Sequence, residues 1–147
     1  MSLDYGLKDI GVVEEDFFWD DTKCDEMIND ERQSKWKEQR EEDGFDEREM
    51  WALEHTISIF VYPRLKWFRD YVGPSFTPGS ITSNEQWLKI LDIMLFSFQE
   101  SANGNKNEPE KERNETEDEY KRRRKIYQRK IKDSRIAFSK WFDGLWY

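Results

Sequence analysis

The chain has 147 residues and a net charge of −8 at pH 7, with 38% charged and 16% aromatic residues. Its seven Trp argue against a disordered protein and predict a single domain, residues 1–147, with an aromatic core. The single cysteine, Cys24, excludes an intramolecular disulfide and a cysteine-rich zinc site, and no run approaches the roughly 18 apolar residues of a membrane span.

Charge is distributed unevenly along the chain. Residues 1–50 hold 18 acidic and 7 basic residues, a net of −11, whereas residues 51–147 hold 14 acidic and 17 basic residues, a net of +3. This balance argues against direct nucleic-acid binding by the molecule as a whole and favours a basic partner for the N-terminal third. The first residues lack a basic stretch followed by a long apolar run, so we expect no signal peptide and a cytoplasmic location.

The acidic N-terminal segment, residues 1–49, begins with apolar residues that show no clean period. We expect residues 1–19 to pack on the domain. Residues 20–42 are rich in helix formers and have few apolar anchors, which predicts a helix with a broad solvated face. Those anchors are Met27, Ile28 and Trp36, and Asp43-Gly44 ends the helix.

A second helix is predicted from Asp46, which forms an acidic variant of the capping box with Glu49. Its apolar positions recur every three or four residues: Met50, Leu53, Ile57, Phe60 and Val61, then Leu65, Phe68, Tyr71 and Val72. Pro63 interrupts this stripe, and proline costs roughly 3 kcal/mol in a helix interior. We therefore expect either a kink or a junction of two helices, with a pocket beside the opened carbonyl near Tyr62 as the functional alternative.

The cleanest helical stripe follows a capping box at Thr82/Glu85 or Ser83/Gln86. It comprises Trp87, Ile90, Leu91, Met94, Leu95 and Phe98, which we expect to bury against Leu53, Ile57 and Phe60. After a polar loop at 101–109, a long helix is predicted from about Pro109 to about Asp143, acidic first and basic later, as the helix dipole favours. The fold class is all-α, a compact orthogonal bundle of four to five helices with its core in 50–99 and 109–147.

Three blocks carry a resemblance. They are WALEHTISIFVYPRLK from Trp51, EQWLKILDIMLFSF from Glu85, and AFSKWFDGLWY from Ala137. Together they resemble a group of small bacteriophage proteins of uncharacterised function that share these patterns at similar spacing. The resemblance covers about half of the chain. It implies a phage protein made in a bacterial host cytoplasm, and it implies no activity.

Residues typical of catalysis are few. His55 is the only histidine, and Cys24 lies in the acidic context DTKCDE, which disfavours a thiolate nucleophile. The chain has no glycine-rich phosphate loop, no G-x-S-x-G and no paired cysteine motif. We therefore predict a protein that is not an enzyme, with no catalytic residues, no metal site and no cofactor.

The main functional hypothesis is inhibition of a host or anti-phage defence protein through an acidic surface. Asp and Glu surround Phe and Trp in two segments, EEDFFWDD and DERQSKWKEQREEDGFDERE. A folded acidic surface can occupy a nucleic-acid channel, for instance that of a nuclease. The simpler interpretation is an ordinary solvated face. The partner-binding residues are predicted to be Glu14, Glu15, Asp16, Asp20, Asp21, Glu41, Glu42 and Asp43.

Other functions stay open. A pocket at the proline could bind a small anion such as a nucleotide signal, lined by Tyr62, Arg64, Lys66 and Trp67. A structural role could act through homo-oligomer contacts. The basic run 121–130, with Tyr120 and Tyr127, could grip phosphates, or it could be a solvated helix face turned toward the acidic N-terminal region.

Overall fold

The computed structural model describes residues 31–147. The predictions for residues 1–30, including those for Cys24 and for five of the acidic partner-binding residues, lie outside this part. Within it, four α-helices follow one another without a strand: α1 (Glu31–Asp43), α2 (Leu53–Trp67), α3 (Asn84–Ala102) and α4 (Glu117–Lys140). The predicted all-α bundle with a long C-terminal helix is confirmed. None of these helices is long and apolar enough to cross a membrane.

Helix α3 is the centre of the bundle, because both α2 and α4 pack along it. Its predicted stripe is confirmed, since Trp87, Leu91 and Met94 are completely buried. Ser83 caps the helix by accepting a hydrogen bond from the Gln86 N–H at 3.1 Å, so the second of the two proposed caps is the one used. The helix therefore begins where the polar loop ends and carries the core residues on its inner side.

The side of α2 that meets the core differs from the prediction. Leu53, Ile57 and Phe60 were expected against α3, but they are 43%, 46% and 50% exposed. The core instead receives Ile59, Tyr62 and Leu65 from the opposite side of the helix. Helix α2 is apolar on both sides, so the spacing of its apolar residues could not decide which side packs inward.

Pro63 lies inside α2 and is buried, and the helix continues past it to Trp67. Of the two alternatives expected at Pro63, a junction of two helices is therefore wrong, because a single helix runs through this residue. A π-helical turn, Phe68–Val72, extends α2, and a short 3-10 turn, Gly73–Ser75, follows. The break in this region lies after Val72, where Gly73 and Pro74 lead into the loop before α3.

The C-terminal helix is shorter than predicted, because it begins at Glu117 and not near Pro109. A full capping box fixes this start: the Thr116 hydroxyl accepts from the Glu119 N–H, and the Glu119 carboxylate accepts from the Thr116 N–H. Residues 109–116 form a loop that Arg123 holds through Glu115 and the Glu110 carbonyl. The helix ends at Lys140, before the 3-10 turn Phe142–Gly144.

Asp46 is a capping residue, but it caps a 3-10 turn, Glu47–Met50, and α2 starts only at Leu53. Its carboxylate accepts from the Arg48 N–H at 3.0 Å, where the sequence had suggested a box with Glu49. The Arg48 guanidinium carbon lies 4.4 Å from the ring centroid of buried Trp36. This cluster joins α1 to the start of α2.

Candidate functional site

The acidic residues predicted for partner binding are only partly described. Glu41, Glu42 and Asp43 are exposed in the last turn of α1. Glu41 lies 4.0 Å from the Lys37 ammonium in an exposed pair. Glu14, Glu15, Asp16, Asp20 and Asp21 lie outside the described residues. The three described carboxylates share the C-terminal end of a helix, where the helix dipole disfavours negative charge.

The four residues predicted to line a pocket at the proline do not share one side of α2. Tyr62 is buried in the core, whereas the Arg64 guanidinium lies over the exposed Phe60 ring at 3.7 Å. Lys66 donates to Asp70 at 2.7 Å. The fourth residue, Trp67, packs against Tyr71 with ring centroids 5.0 Å apart. The four side chains are therefore held by separate contacts within the chain.

Helix α4 turns one side to the core and the other to solvent. Ser134 is completely buried on the inner side, where Phe138 packs against the Phe98 ring. Tyr127 is half-buried on this side, and its hydroxyl lies 3.4 Å from a Glu100 carboxylate oxygen. The Glu100 carboxylate, on α3, also accepts a hydrogen bond of 3.0 Å from the Asn107 side chain, which connects the 103–108 loop to α3.

Tyr127 is fixed in this inner position by its environment. Burial, with the adjacent Glu100 carboxylate, raises the pKa of the Tyr127 hydroxyl to about 12, so the phenol stays protonated and can donate to Glu100. The Tyr127 ring also meets the Phe96 ring edge-on at 6.1 Å. Stacking of a nucleobase on this ring, one of the sequence hypotheses, is not favoured by that packing.

The solvent side of α4 carries a straight polar stripe. The stripe has spacings of four, three, four, three and four residues, so its members lie on one line along the helix. All are exposed, and we call them the basic stripe: Lys121, Lys125, Gln128, Lys132, Arg135 and Ser139. The four cations extend over 14 residues, which is about 21 Å of helix.

The cations of the basic stripe form no ion pair with the part of the chain that the structure describes. Arg123 is paired with Glu115 at 2.6 Å, and Arg124 lies 3.9 Å from Glu108, but both are outside the stripe. Among residues 31–147, no acidic side chain forms an ion pair with Lys121, Lys125, Lys132 or Arg135. Residues 121–140 contain ten basic residues and one acidic residue, a net of +9. The predicted pairing of this face with acid from the N-terminal region is absent for α1.

A groove of about 550 Å³ opens beside the C-terminal half of the stripe. Its walls are the 103–108 loop, through Asn105 and Glu108, and α4 itself. Four stripe residues line it, together with neighbouring side chains on the helix: Gln128, Lys132, Arg135 and Ser139, with Tyr127, Ile131 and Ile136. Two of the four cations, Lys132 and Arg135, thus border a concave surface as well as a helix face.

The basic stripe was only partly visible in the sequence. The run KRRRKIYQRK predicted positive charge on this helix, but it suggested Arg123 and Arg124 as readily as Lys121 and Lys125. Lys132 and Arg135 lie beyond that run, so the run does not indicate them. The four-three spacing of polar residues from 121 to 139 was the available signal.

His55 is held by the backbone, because its Nδ1 lies 2.9 Å from the Ser101 carbonyl oxygen. In the part of the chain that the structure describes, no three His, Cys, Asp or Glu side chains are grouped to hold a metal ion. Comparison with protein families, with characterised proteins and with solved structures found no match to this chain.

Proposed function

We propose that this protein acts by binding, and that the basic stripe of α4 holds the phosphate backbone of a nucleic acid. The observation that carries the proposal is the line of four exposed cations without an acidic partner among residues 31–147. The chain contains eight more acidic than basic residues. Residues 31–147 alone contain 22 acidic residues, yet none of these carboxylates forms an ion pair with the stripe.

The shape of the stripe favours a long anion over a small one. Its cations lie along a line of about 21 Å and do not converge on one point, which suits a chain of phosphates. No aromatic side chain belongs to the stripe, and its single amide is Gln128. Phosphate contacts of this kind position a nucleic acid without reading its sequence. We therefore propose binding without sequence specificity.

The net charge of −8 does not oppose this proposal, because the acidic excess lies in a different part of the chain from the stripe. Residues 1–30 contain ten acidic and two basic residues, whereas residues 31–147 contain 22 of each and are neutral overall. Local charge decides whether a polyanion is attracted at distances within the Debye length, which is about 8 Å at physiological salt. A face with a net of +9 over 20 residues can attract phosphates in a molecule that is acidic elsewhere.

Fluorescence anisotropy with labelled single-stranded and duplex DNA tests the proposal. Four phosphate contacts give a slope of about −4 for the logarithm of the duplex binding constant against that of salt concentration. Lys121→Gln, Lys125→Gln and Lys132→Gln together should reduce this slope by about 3. The matched control changes the same charge at three exposed lysines elsewhere: Lys37, Lys89 and Lys106. Equal binding by both triple variants, or no binding by the unaltered protein, would contradict the proposal.

A second candidate function keeps the acidic surface as the binding site. In this proposal the chain is a small phage accessory protein that inhibits a host or defence protein with a basic surface. Its support is the exposed cluster Glu41, Glu42 and Asp43 at the end of α1, where three carboxylates oppose the helix dipole. Carboxylates at this end do not stabilise the helix, so their presence there is consistent with a role in binding a partner.

Phage plating on bacteria that carry a DNA-cleaving defence system tests this second candidate. The protein should raise plating efficiency, and charge reversal to Lys at Asp20, Asp21, Glu41 and Glu42 should remove the effect. The control variant reverses four other exposed acidic residues: Glu85, Glu110, Asp118 and Asp143. Equal protection by the two variants would eliminate the acidic surface. Loss of protection in the stripe variant alone would favour the first proposal.

A further inference from the structure

The outer side of α2 and its π-helical turn carries a second stripe, which is apolar. Leu53, Ile57, Phe60, Trp67 and Tyr71 are all exposed, and their spacing, with Arg64 between Phe60 and Trp67, is again four, three, four, three and four. We call these six residues the apolar stripe. It lies opposite the buried residues Ile59, Tyr62 and Leu65, which face α3. The helix is thus apolar on both sides, a pattern typical of a helix that is covered on both sides.

The exposed area of this stripe is large for a surface that faces water. Five large apolar side chains and the stem of Arg64, each about half exposed, present on the order of 600 Å². Soluble monomers rarely expose contiguous apolar patches larger than a few hundred Å² unless the patch binds something. Met50 and Trp51, which precede α2 in the chain, are exposed as well. Together these residues approach the roughly 800 Å² that each partner buries in a stable interface.

We propose that a second copy of this chain covers the apolar stripe, with the two α2 helices antiparallel. The reason is a symmetry in the stripe itself: each member on the N-terminal side of position 62 has a counterpart at the same distance on the C-terminal side. Leu53 matches Tyr71, Ile57 matches Trp67, and Phe60 matches Arg64. A two-fold axis near residue 62 places each residue against its match, as a self-complementary interface requires. A parallel pair would instead place each residue against itself.

The matched residues are also complementary in their chemistry. At both ends of the stripe an aliphatic side chain of one copy meets an aromatic side chain of the other. The two aromatic residues, Trp67 and Tyr71, already pack together within one chain, with ring centroids 5.0 Å apart. In the middle, Arg64 lies over Phe60 of its own chain and donates to the Phe60 carbonyl at 2.8 Å. In the dimer its guanidinium contacts the partner's Phe60 from the other side, which adds a second cation–π contact. A parallel pair would place the two Arg64 cations against each other.

Sedimentation velocity on the full chain tests the dimer. The protein should sediment as a species of twice its mass of 18.0 kDa, and Phe60→Lys should convert it to a monomer because two lysines and two Arg64 side chains would then place four like charges near the axis. Ile93→Lys, at an exposed position of α3, is the matched control and should leave the dimer intact. A monomeric wild type would overturn the proposal. A monomer is also the result expected if residues 1–30 of the same chain, and not a second copy, cover the stripe. A dimer that survives Phe60→Lys in a folded protein would also overturn it.

Disulfide trapping in a Cys24→Ser background tests the antiparallel pairing without a charge in the interface. Ile57→Cys with Trp67→Cys should give a covalent dimer under mild oxidation, since each new thiol faces its match. Ile57→Cys alone should not, because the two copies of residue 57 are about 15 Å apart along an antiparallel pair. A covalent dimer from Ile57→Cys alone would indicate parallel pairing and contradict the proposal. Failure of the double variant to cross-link would contradict it as well.

Discussion

The hydroxyl of Ser134 on α4 accepts a hydrogen bond of 2.9 Å from the backbone N–H of Ser97 on α3. The same hydroxyl donates to the Met94 carbonyl at 3.0 Å and lies 2.8 Å from the Ser97 hydroxyl. Ser134 is completely buried, so these contacts take place without water. They fix the position of α4 along α3 and thereby the direction in which the basic stripe faces solvent.

Replacing this serine should loosen the α3–α4 contact. Ser134→Ala leaves three buried groups of α3 with one partner fewer, and we expect a loss of about 1–3 kcal/mol in the free energy of unfolding. Ser139→Ala, at an exposed position of the same helix, is the control and should change it by less than about 0.5 kcal/mol. Urea denaturation of both variants measures the difference. Identical midpoints would show that this polar contact does not hold the helices together.

The centre of the core is tested by a pair of neighbouring aliphatic residues on α3. Leu91 is completely buried, whereas Ile93 is 47% exposed two residues later. Leu91→Ala removes buried methyl groups and leaves a cavity, so we expect a loss of about 2–5 kcal/mol, while Ile93→Ala should cost much less. Calorimetric melting temperatures provide the comparison. Similar values for the two variants would mean that α3 is not the central helix.

The contrast between α3 and α2 shows what the sequence could predict. The stripe of α3 has one apolar side and a cap at Ser83, so spacing alone identified its buried residues correctly. Helix α2 has apolar residues on both sides, and the choice between Ile59 and Phe60 depends on which side α3 covers. That choice is a tertiary property, and the prediction from spacing was wrong there.

The start of α4 and the basic stripe illustrate the same division. Thr116 and Glu119 form a capping box that was readable in the sequence, but the acidic residues before them also suit a helix start. Only the structure shows that Arg123 holds residues 110–115 in a loop. Likewise, the sequence predicted a basic helix, whereas the absence of an ion pair between Lys132 or Arg135 and any acidic residue of 31–147 depends on which side chains lie nearby in three dimensions.

Close packing between the end of α2 and α3 requires a glycine at residue 73. A Cβ atom there would lie 2.9 Å from the Leu91 Cδ1 and 3.0 Å from the Leu88 Cδ2. Because Leu91 is completely buried, it has little room to move. Gly73→Ala should therefore lower the free energy of unfolding by about 1–3 kcal/mol. A Cβ on Gly79 meets no atom within 4 Å, so Gly79→Ala should be neutral or stabilise by up to about 1 kcal/mol. Equal stability of the two variants in guanidinium denaturation would refute the close contact.

A buried ion pair links α1 to the turn before α2. The Asp46 carboxylate accepts from the Arg48 guanidinium at 2.7 and 2.9 Å and from Arg40 at 2.6 Å, and both Asp46 and Arg48 are almost completely buried. Burial alone would raise the pKa of Asp46, but the hydrogen bonds from Arg48 and Arg40 together outweigh it and lower the pKa to about 2. The carboxylate is therefore charged in the folded protein at any pH above that value.

This depressed pKa makes stability depend on pH in a defined window. Above about pH 4 the carboxylate is ionised in both states and its pairing stabilises the fold; as pH falls toward 2, the unfolded chain takes up the proton first and the stabilisation is lost. Asp46→Asn removes the negative charge that Asp46 places against buried Arg48 and against Arg40, so we expect a loss of about 3–5 kcal/mol at pH 7 and a weaker pH dependence between 4 and 2. Asp143→Asn, at an exposed position, should retain the wild-type profile. Thermal unfolding of all three proteins from pH 7 to pH 2 measures how the melting temperature depends on pH. Parallel curves for Asp46→Asn and the wild type would show that this ion pair does not govern the acid sensitivity of the fold.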